Sequence, residues 1–439
     1  MTIAHQHIIR KTESVCPTCL VRLPATIYET AGAEVYMHKE CPEHGVFDVY
    51  IWPDAKRYAW YAGMALPAAS RAPQTESANG CPHDCGLCPG HERSITLPEV
   101  EVTWRCNISC PVCFMFDGDI PADPTMEELR HMFASILRFD GQNLPIQITG
   151  GEPTIRADLP QIIELAIQTG FEAVELNTNG LVIGRDIGYL KKLKCAGLTN
   201  IYLQFDSLTP EATATLRGSD LLAAKMQAIE NCRAENIPVI LSVAIVKGIN
   251  DQELGDLIRF CMANLDVIKG LALQPAFESG RFAVTNVKHL SVADVAGLIS
   301  EQSAGQITVE DFWPVGSSHP LCYGSTVLIG KGDDFEPFTR QLGEAEYRTL
   351  IDRHSPQGAA FQDVVSRLAE NPDSVSGLPI LIMEYMDAWT MDLERARGCN
   401  LAVTVADGTS IPFCVYHLTD GSGKRVYPHG GRGRHDRCA

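Results

Sequence analysis

The stretch Val100-Glu-Val-Thr-Trp-Arg-Cys106-Asn-Ile-Ser-Cys110-Pro-Val-Cys113 decides the reading of this chain. A candidate strand, Val100–Trp104, runs straight into three cysteines spaced C-x3-C-x2-C. Spacing this tight gathers three thiolates on one turn around a metal, and soft thiolates in that number select zinc or an iron–sulfur cluster. The same spacing occurs at Cys81-Pro-His-Asp-Cys85-Gly-Leu-Cys88. With 16 cysteines in 439 residues, chance gives about 0.02 such triplets, so two are not accidental.

Downstream, a strand-then-helix unit repeats. Candidate strands are Val100–Trp104, Pro145–Thr149, Ala173–Thr178, Ile201–Asp206, Pro238–Val246 and Leu271–Gln274, with starts 28 to 45 residues apart. Such intervals suit parallel strands joined by crossover helices. Thr125-Met-Glu-Glu128 reads as a capping box before Leu129, Met132, Phe133, Ile136 and Leu137, and Leu254, Leu257, Ile258, Cys261 and Met262 recur at helical spacing. Six such units predict an α/β chain built on a partial, open (β/α)6 relative of the TIM barrel, where chemistry gathers at the C-terminal ends of the strands. The Cys106–Cys113 loop lies at such an end.

The second candidate strand ends in Thr149-Gly150-Gly151-Glu152-Pro153, with two glycines where backbone can approach a ligand and a carboxylate beside them. A C-x3-C-x2-C loop after strand one with Gly-Gly-Glu-Pro after strand two resembles the radical S-adenosylmethionine (SAM) superfamily, over about residues 98–280. For the three cysteines alone the competing reading is a closed zinc site with a distant fourth ligand; their place after a strand, and the motif downstream, speak against it. A [4Fe–4S] cluster held by Cys106, Cys110 and Cys113 keeps one iron open. The resemblance implies that SAM chelates that iron, and that reduction splits the sulfonium bond to give a 5′-deoxyadenosyl radical that abstracts hydrogen from an unactivated carbon. It also implies that Gly150, Gly151 and Glu152 hold the methionine amino group, that Asn177, Asn179, Gln204 and Asp206 face ribose or substrate, and that Gln274 stands near adenine or substrate. Val112 occupies a position that is usually aromatic in the family, which makes Phe114 the candidate for adenine packing.

The flanks narrow the family. Cys16-Pro-Thr-Cys19 and Cys41-Pro-Glu-His44 are two knuckles around a hairpin turning at Ala31-Gly32, the layout of a rubredoxin or zinc ribbon. Cys16, Cys19 and Cys41 are read as ligands of a mononuclear metal, with His44 as the fourth and His38 as the alternative; iron and zinc both stay open. Together with Cys81–Cys88, Glu101-Val-Thr-Trp-Arg-Cys106 and Ile411-Pro-Phe-Cys414, these knuckles resemble the archaeal tetraether lipid synthase group. That group overlaps the class D radical SAM methyltransferases, and the match covers most of the chain. The resemblance implies a mononuclear iron or zinc site, the SAM-binding cluster, one or two auxiliary [4Fe–4S] clusters, and a low-potential electron donor of flavodoxin or ferredoxin type.

Cys81, Cys85 and Cys88 follow a Pro/Ala/Ser-rich linker rather than a strand and read as auxiliary-cluster ligands. Asp407-Gly408 marks a hairpin turn between Leu401–Val405 and Ser410–Tyr416. A two-residue loop there sets Cys414 opposite Leu401 and Cys399 diagonal to Cys414, with Cys322 as the third ligand. Whether these complete the Cys81 cluster or build a second one is open. Cys195, Cys232 and Cys261 read as core or linker thiols, and His319 reads as structural. The glycine-rich basic segment from Leu418 onward, Cys438 included, reads as a solvated tail.

Composition sets outer bounds. Apolar residues at 45% and charged ones at 21% describe an ordinary folded protein. A net charge of −18 disfavours a phosphate backbone, so no nucleic-acid partner is expected. The longest apolar stretch, Ala59–Ala69, has 11 residues, where a spanning helix needs about 20. With no secretory signal at the N-terminus, the expectation is a cytoplasmic protein that does not span the membrane, peripheral attachment being left open. In that compartment cysteines serve metals or catalysis rather than disulfides.

The chain divides into an N-terminal metal module (1–66), a linker with the auxiliary motif (67–98), a radical SAM core (99–280) and a C-terminal region with auxiliary-cluster cysteines and a basic tail (281–439). The implied function is reductive SAM cleavage used for C–C bond formation, by alkylation, methylation or chain joining, on a lipid or pterin-like substrate. Competing readings are a peptide-modifying radical SAM maturase, whose dense C-terminal cysteine array is missing, and a non-catalytic iron–sulfur electron-transfer scaffold, against which the intact Gly-Gly-Glu-Pro counts.

Overall fold

The computed structural model describes residues 6–65, 72–115, 120–141, 144–283, 289–316, 318–345, 347 and 377–431. Four antiparallel strands, His7–Val15 (β1), Arg22–Glu29 (β2), Val35–Cys41 (β3) and Gly45–Trp52 (β4), pair in chain order. In β2 and β3 buried residues alternate along the strand, the period-two pattern of a sheet with one face on a core. The hairpin between them turns at residues 30–34 as the sequence predicts, closed by Ala33 N–H to the Thr30 carbonyl (3.0 Å). The helix Ala55–Ala62 then lays Tyr58 and Tyr61 on Trp52, ring centroids 5.8 and 5.2 Å apart.

The body is one open sheet of eleven strands. Its centre is Leu97–Thr103 (β5), Pro145–Gly150 (β7), Ala173–Thr178 (β8), Asn200–Gln204 (β9), Val239–Ile245 (β10) and Ile268–Pro275 (β11), parallel and adjacent in chain order. The two-residue strands Val112–Cys113 (β6) and Arg281–Phe282 (β12) pair separately. All six predicted strands are present, each end within three residues of the expected one and Ala173–Thr178 matching at both. The helix Met126–Asp140 starts at the predicted capping box, where Glu128 N–H donates to Thr125 Oγ1 (3.2 Å) and Thr125 N–H to Glu128 Oε2 (2.7 Å). Val100, Val102, Ile146, Ile148, Val174 and Leu176 belong to the main apolar core, while Glu99, Gln147 and Glu175, at alternate positions, line the central cavity.

Strands beyond residue 300 extend this sheet at both edges. Gly377–Met383 (β15) adds in parallel to β11, followed outward by Tyr323–Lys331 (β13) and Asp334–Pro337 (β14). Leu401–Thr404 (β16) adds in parallel to β5, with Ser410–Pro412 (β17) outside it. Two expectations are corrected here. The β16–β17 hairpin pairs Ala402 with Pro412 and closes with Val405 N–H on the Thr409 carbonyl (2.9 Å), so its loop has one residue more than expected. Cys414 consequently falls in the short helix Phe413–Tyr416 rather than opposite Leu401. Second, the segment from Leu418 is no solvated tail up to residue 431: Leu418, Arg425 and Tyr427 are buried. Cys438 lies outside the described residues. Among those described, no helix is long and apolar enough to cross a membrane.

Candidate active site

Gly150, at the end of β7, has φ +139°, and a Cβ there would stand 2.1 Å from the Thr103 carbonyl oxygen; at Gly151 it would stand 2.2 Å from that of Arg105. Gly151 N–H donates to Thr103 O (2.8 Å) and Glu152 N–H to Arg105 O (2.9 Å). The glycines therefore make room for the chain leading into Cys106, and both also stand on the wall of the cavity described next. Further donors clamp the cysteine loop and the strand leading into it by their carbonyls: Arg156 on Val102 of β5 (2.5 Å), Arg281 on Cys110 (2.9 Å) and Arg217 on Val112 (3.0 Å).

The loop faces a cavity of about 530 Å³ at the C-terminal ends of the strands, within the usual size range of small-molecule sites. Cys106, Cys110, Cys113, Gly150, Gly151, Glu152, Asn177, Asn179, Gln204, Asp206 and Gln274 all line it. The three thiols do not gather as ligands of one ion do. Among the described residues, three or more such ligand atoms lie within 4.8 Å of one another only in the N-terminal sheet. A wider setting suits thiolates bound to separate irons of a cluster. Phe114 is on the same wall, stacked on Phe277 at 5.7 Å.

Glu152 is 1% exposed and accepts from Asn179 N–H (2.7 Å), Thr178 Oγ1 (2.7 Å) and Thr154 Oγ1 (2.5 Å). Burial pushes its carboxyl above the usual range, and these donors only partly oppose the shift. Asn179 is occupied by protein on both sides, donating to Asn107 Oδ1 (2.7 Å) and accepting from Leu181 N–H (3.1 Å). Asn177 differs: its Oδ1 is buried with no hydrogen-bond partner, the mark of a group built to meet a ligand donor. Gln204 Oε1 accepts from the buried Lys225 (3.3 Å), and Gln274 donates to Tyr202 OH (2.8 Å) and accepts from Ser242 (3.2 Å).

Asp206, expected to face ribose or substrate, is fully buried and taken up by Arg217 through two bonds of 2.6 and 2.7 Å, and by Ala244 N–H (3.0 Å). Burial alone would raise its carboxyl pKa; Arg217 and Lys225 overcome this and hold it below the ordinary value. Its role is to orient Arg217 on the cysteine loop. Asp206→Asn is expected to cost about 3–5 kcal/mol in urea denaturation, since it strips the partner from a buried guanidinium. A depressed carboxyl contributes stability above its unfolded pKa and loses it as pH falls through the folded value. The gap to wild type should therefore narrow below about pH 4; an equal midpoint at neutral pH would contradict the assignment.

In the N-terminal sheet, His44 Nδ1 lies 3.6 Å from Cys16 Sγ and 3.5 Å from Cys41 Sγ, and the Cys19 and Cys41 sulfurs are 4.0 Å apart. A tetrahedral ion with bonds of about 2.0–2.3 Å sets edges of roughly 3.5–3.8 Å, so the four groups fit one ion. His38, the alternative ligand, instead contacts Asp48 (2.8 Å). The sheet docks on residues 388–397: Lys39 Nζ donates to the carbonyls of Ala388 (2.9 Å) and Trp389 (2.8 Å), and Ser14 to that of Met391 (2.6 Å).

The thiols of Cys85 and Cys88 are near enough to Cys81 to act on its acidity, and the loop is tied to the C-terminal segment by Cys85 N–H on Tyr427 OH (2.9 Å). Cys322, Cys399 and Cys414 together line a separate small cavity with Arg395 and Glu384, and the Cys81 set is not on its wall. The sequence reading missed the deep wall of the main cavity, where Glu99, Gln147, Glu175 and Tyr202 face inward. Polar residues at alternate positions of otherwise apolar parallel strands are the signal that could have found them.

Residues 8–53 match the HMPTM N-terminal zinc ribbon domain and residues 75–261 the radical SAM superfamily. The chain is 34% identical to 7,8-dihydro-6-hydroxymethylpterin dimethyltransferase of Methanocaldococcus jannaschii, with 93% of each chain covered. It is 31% identical over 174 residues to a probable GTP 3′,8-cyclase of Methanothermobacter marburgensis, covering 39% of this chain and 55% of that one. Among solved structures, Streptococcus suis SuiB bound to S-adenosylmethionine is similar with TM-score 0.40 and 15% identity over 47% of each chain.

Proposed function

The chain belongs to the radical SAM superfamily as an enzyme of methyltransferase type, and from that premise we propose that it methylates carbon on a compact, polar, pterin-like substrate. The deep wall of the cavity carries this reading: beyond the cysteine loop it presents Glu99, Gln147, Glu175, Tyr202, Ser242 and Gln274. Most of these satisfy one another, but the Glu99 carboxyl has no hydrogen bond to any described residue; an alkyl chain would bury it without a partner, at a cost of about 1–3 kcal/mol, whereas a nitrogen-rich heterocycle answers it. The lipid alternative is disfavoured on the same ground.

Cys106, Cys110 and Cys113 would hold the [4Fe–4S] cluster, and Glu152 and the unpartnered Asn177 would meet SAM. Bound there, cluster and SAM supply a carbon radical when a low-potential flavodoxin- or ferredoxin-type donor delivers an electron. The chain's own contribution is positioning. Glu152 offers a buried carboxylate to an ammonium, and Phe114 and Phe277 close an apolar wall that excludes water. Cys81, Cys85 and Cys88 would hold one auxiliary [4Fe–4S] cluster and Cys322, Cys399 and Cys414 a second. The histidine in the ribbon's ligand set favours zinc there.

Anaerobic incubation of the reconstituted protein with SAM, a low-potential reductant, 7,8-dihydro-6-hydroxymethylpterin and a one-carbon donor, either SAM beyond that cleaved to the radical or a methylene-carrying reduced folate, tests this. Mass spectrometry should find 5′-deoxyadenosine and a pterin carrying added methyl groups. 5′-Deoxyadenosine with an unmodified pterin, beside conversion of a lipid extract, would overturn the substrate class. Glu152→Gln should weaken SAM binding about 10- to 100-fold with iron content unchanged.

A further inference from the structure

We propose that Glu99 is the substrate-recognition carboxylate, taking the paired donors of an aminopyrimidinone ring, the ring N–H and the adjacent exocyclic amino group, at the deep end of the cavity. The inference rests on the pterin-like substrate above and adds the residue that reads and orients the ring.

Three acids stand near one another on β5 and β8, and their surroundings separate them. Glu101 accepts from Trp104 Nε1 (2.6 Å) and Tyr416 OH (2.8 Å). Glu175 accepts from the side-chain amides of Gln147 and Asn200, one on each oxygen. Glu99, 6% exposed and on the cavity wall, has no hydrogen bond or ion pair from its carboxyl to any described residue. Burial, with the neighbouring charges of Glu101 and Glu175, pushes its carboxyl up to about 8; Tyr202, Tyr323 and Tyr385 are its other titratable neighbours.

A carboxylate buried with neither donor nor cation is costly, so the group by itself keeps its proton; it releases that proton to solvent where a ligand supplies the missing donors. Carboxylates pair best with two parallel N–H donors on one planar group, and an aminopyrimidinone edge presents that pair. Glu99 shares a row across the sheet with Gln147, Glu175 and Asn200. It precedes Thr103, the end of β5, by four residues, about 13 Å of strand. That depth leaves space for one bicyclic ring between Glu99 and the cysteine loop, its far edge turned toward Cys106.

The test is fluorescence titration of the iron-reconstituted protein with 6-hydroxymethylpterin and with its 2-oxo analogue, 6-hydroxymethyllumazine, in which an acceptor replaces the amino donor. Wild type should prefer the pterin by about 10- to 100-fold, the worth of charge-assisted hydrogen bonds. In Glu99→Gln the amide offers one donor and one acceptor, so pterin affinity should fall by a similar factor and the preference should vanish or reverse. Iron content and SAM binding should match wild type. Equal pterin affinity in Glu99→Gln and wild type overturns the role of Glu99 while leaving the substrate class standing. Wild type that binds neither compound overturns the substrate class and this assignment with it.

Discussion

Gly151→Ala is expected to empty the cysteine loop of its iron and to lower 5′-deoxyadenosine formation by about 100-fold or more. The Cβ would stand 2.2 Å from the Arg105 carbonyl oxygen, 2.7 Å from its carbon and 2.9 Å from the Trp104 oxygen. All three are backbone atoms, so no side chain can swing aside. Relief requires moving the chain one residue before Cys106, against the bonds from Gly151 to Thr103 and from Glu152 to Arg105. Gly297→Ala is the control: nothing lies within 4 Å of its Cβ, and in a helix alanine should be neutral or stabilising by up to about 1 kcal/mol. Iron analysis and product chromatography read both variants. Full iron and full turnover in Gly151→Ala would show that the loop can yield.

Removing the ribbon's ion, by Cys41→Ser or by chelation, is expected to cost on the order of 5 kcal/mol or more, given that structural zinc contributes roughly 10–16 kcal/mol in isolated zinc peptides. Without the ion, three sulfurs and an imidazole crowd one point with nothing to bind them. The consequence should reach the body, because buried Lys39 holds the Ala388 and Trp389 carbonyls and Arg10 pairs with Asp392. The segment so held continues into Arg395 on the wall of the Cys322 cavity. Elemental analysis, limited proteolysis and a thermal melt test this together. A variant that loses the ion yet melts and resists protease like wild type would show that sheet packing alone sustains the module.

Much of this was legible in the residues. The six central strands, the capping box at Thr125, the hairpin of the ribbon and the choice of His44 over His38 all follow from local signals: period, turn chemistry and ligand spacing. The C-terminal additions were not. β15 beside β11 and β16 beside β5 join segments more than 100 residues apart, and no local pattern encodes such a pairing. The reading of the β16–β17 hairpin failed by one residue because Gly408, at φ +79°, closes a loop of three residues rather than two. The tail from Leu418 looked solvated by composition, yet Tyr427 and Arg425 are buried against the two cysteine loops, through Cys85 and the Phe114 carbonyl.

The site divides the same way. Cys106, Cys110, Cys113, Gly150, Gly151 and Glu152 announce themselves by spacing, because thiolate ligation and close backbone approach demand particular residue types at fixed intervals. Spacing cannot say which polar side chains remain available. Asn177 and Asn179 differ by two positions, yet one has an unpartnered carbonyl oxygen and the other is bound by Asn107 and Leu181. Asp206 looked like a ligand group and is held by Arg217. Glu99, one residue ahead of the strand read from the sequence, went unremarked there, and it faces the cavity with no hydrogen bond from its carboxyl to any described residue. Residue type and short-range period suffice to read the cysteine and Gly-Gly-Glu-Pro motifs and the parallel core. Tertiary structure alone decided which carboxylates are satisfied by protein, because hydrogen-bond saturation depends on neighbours brought together from distant strands.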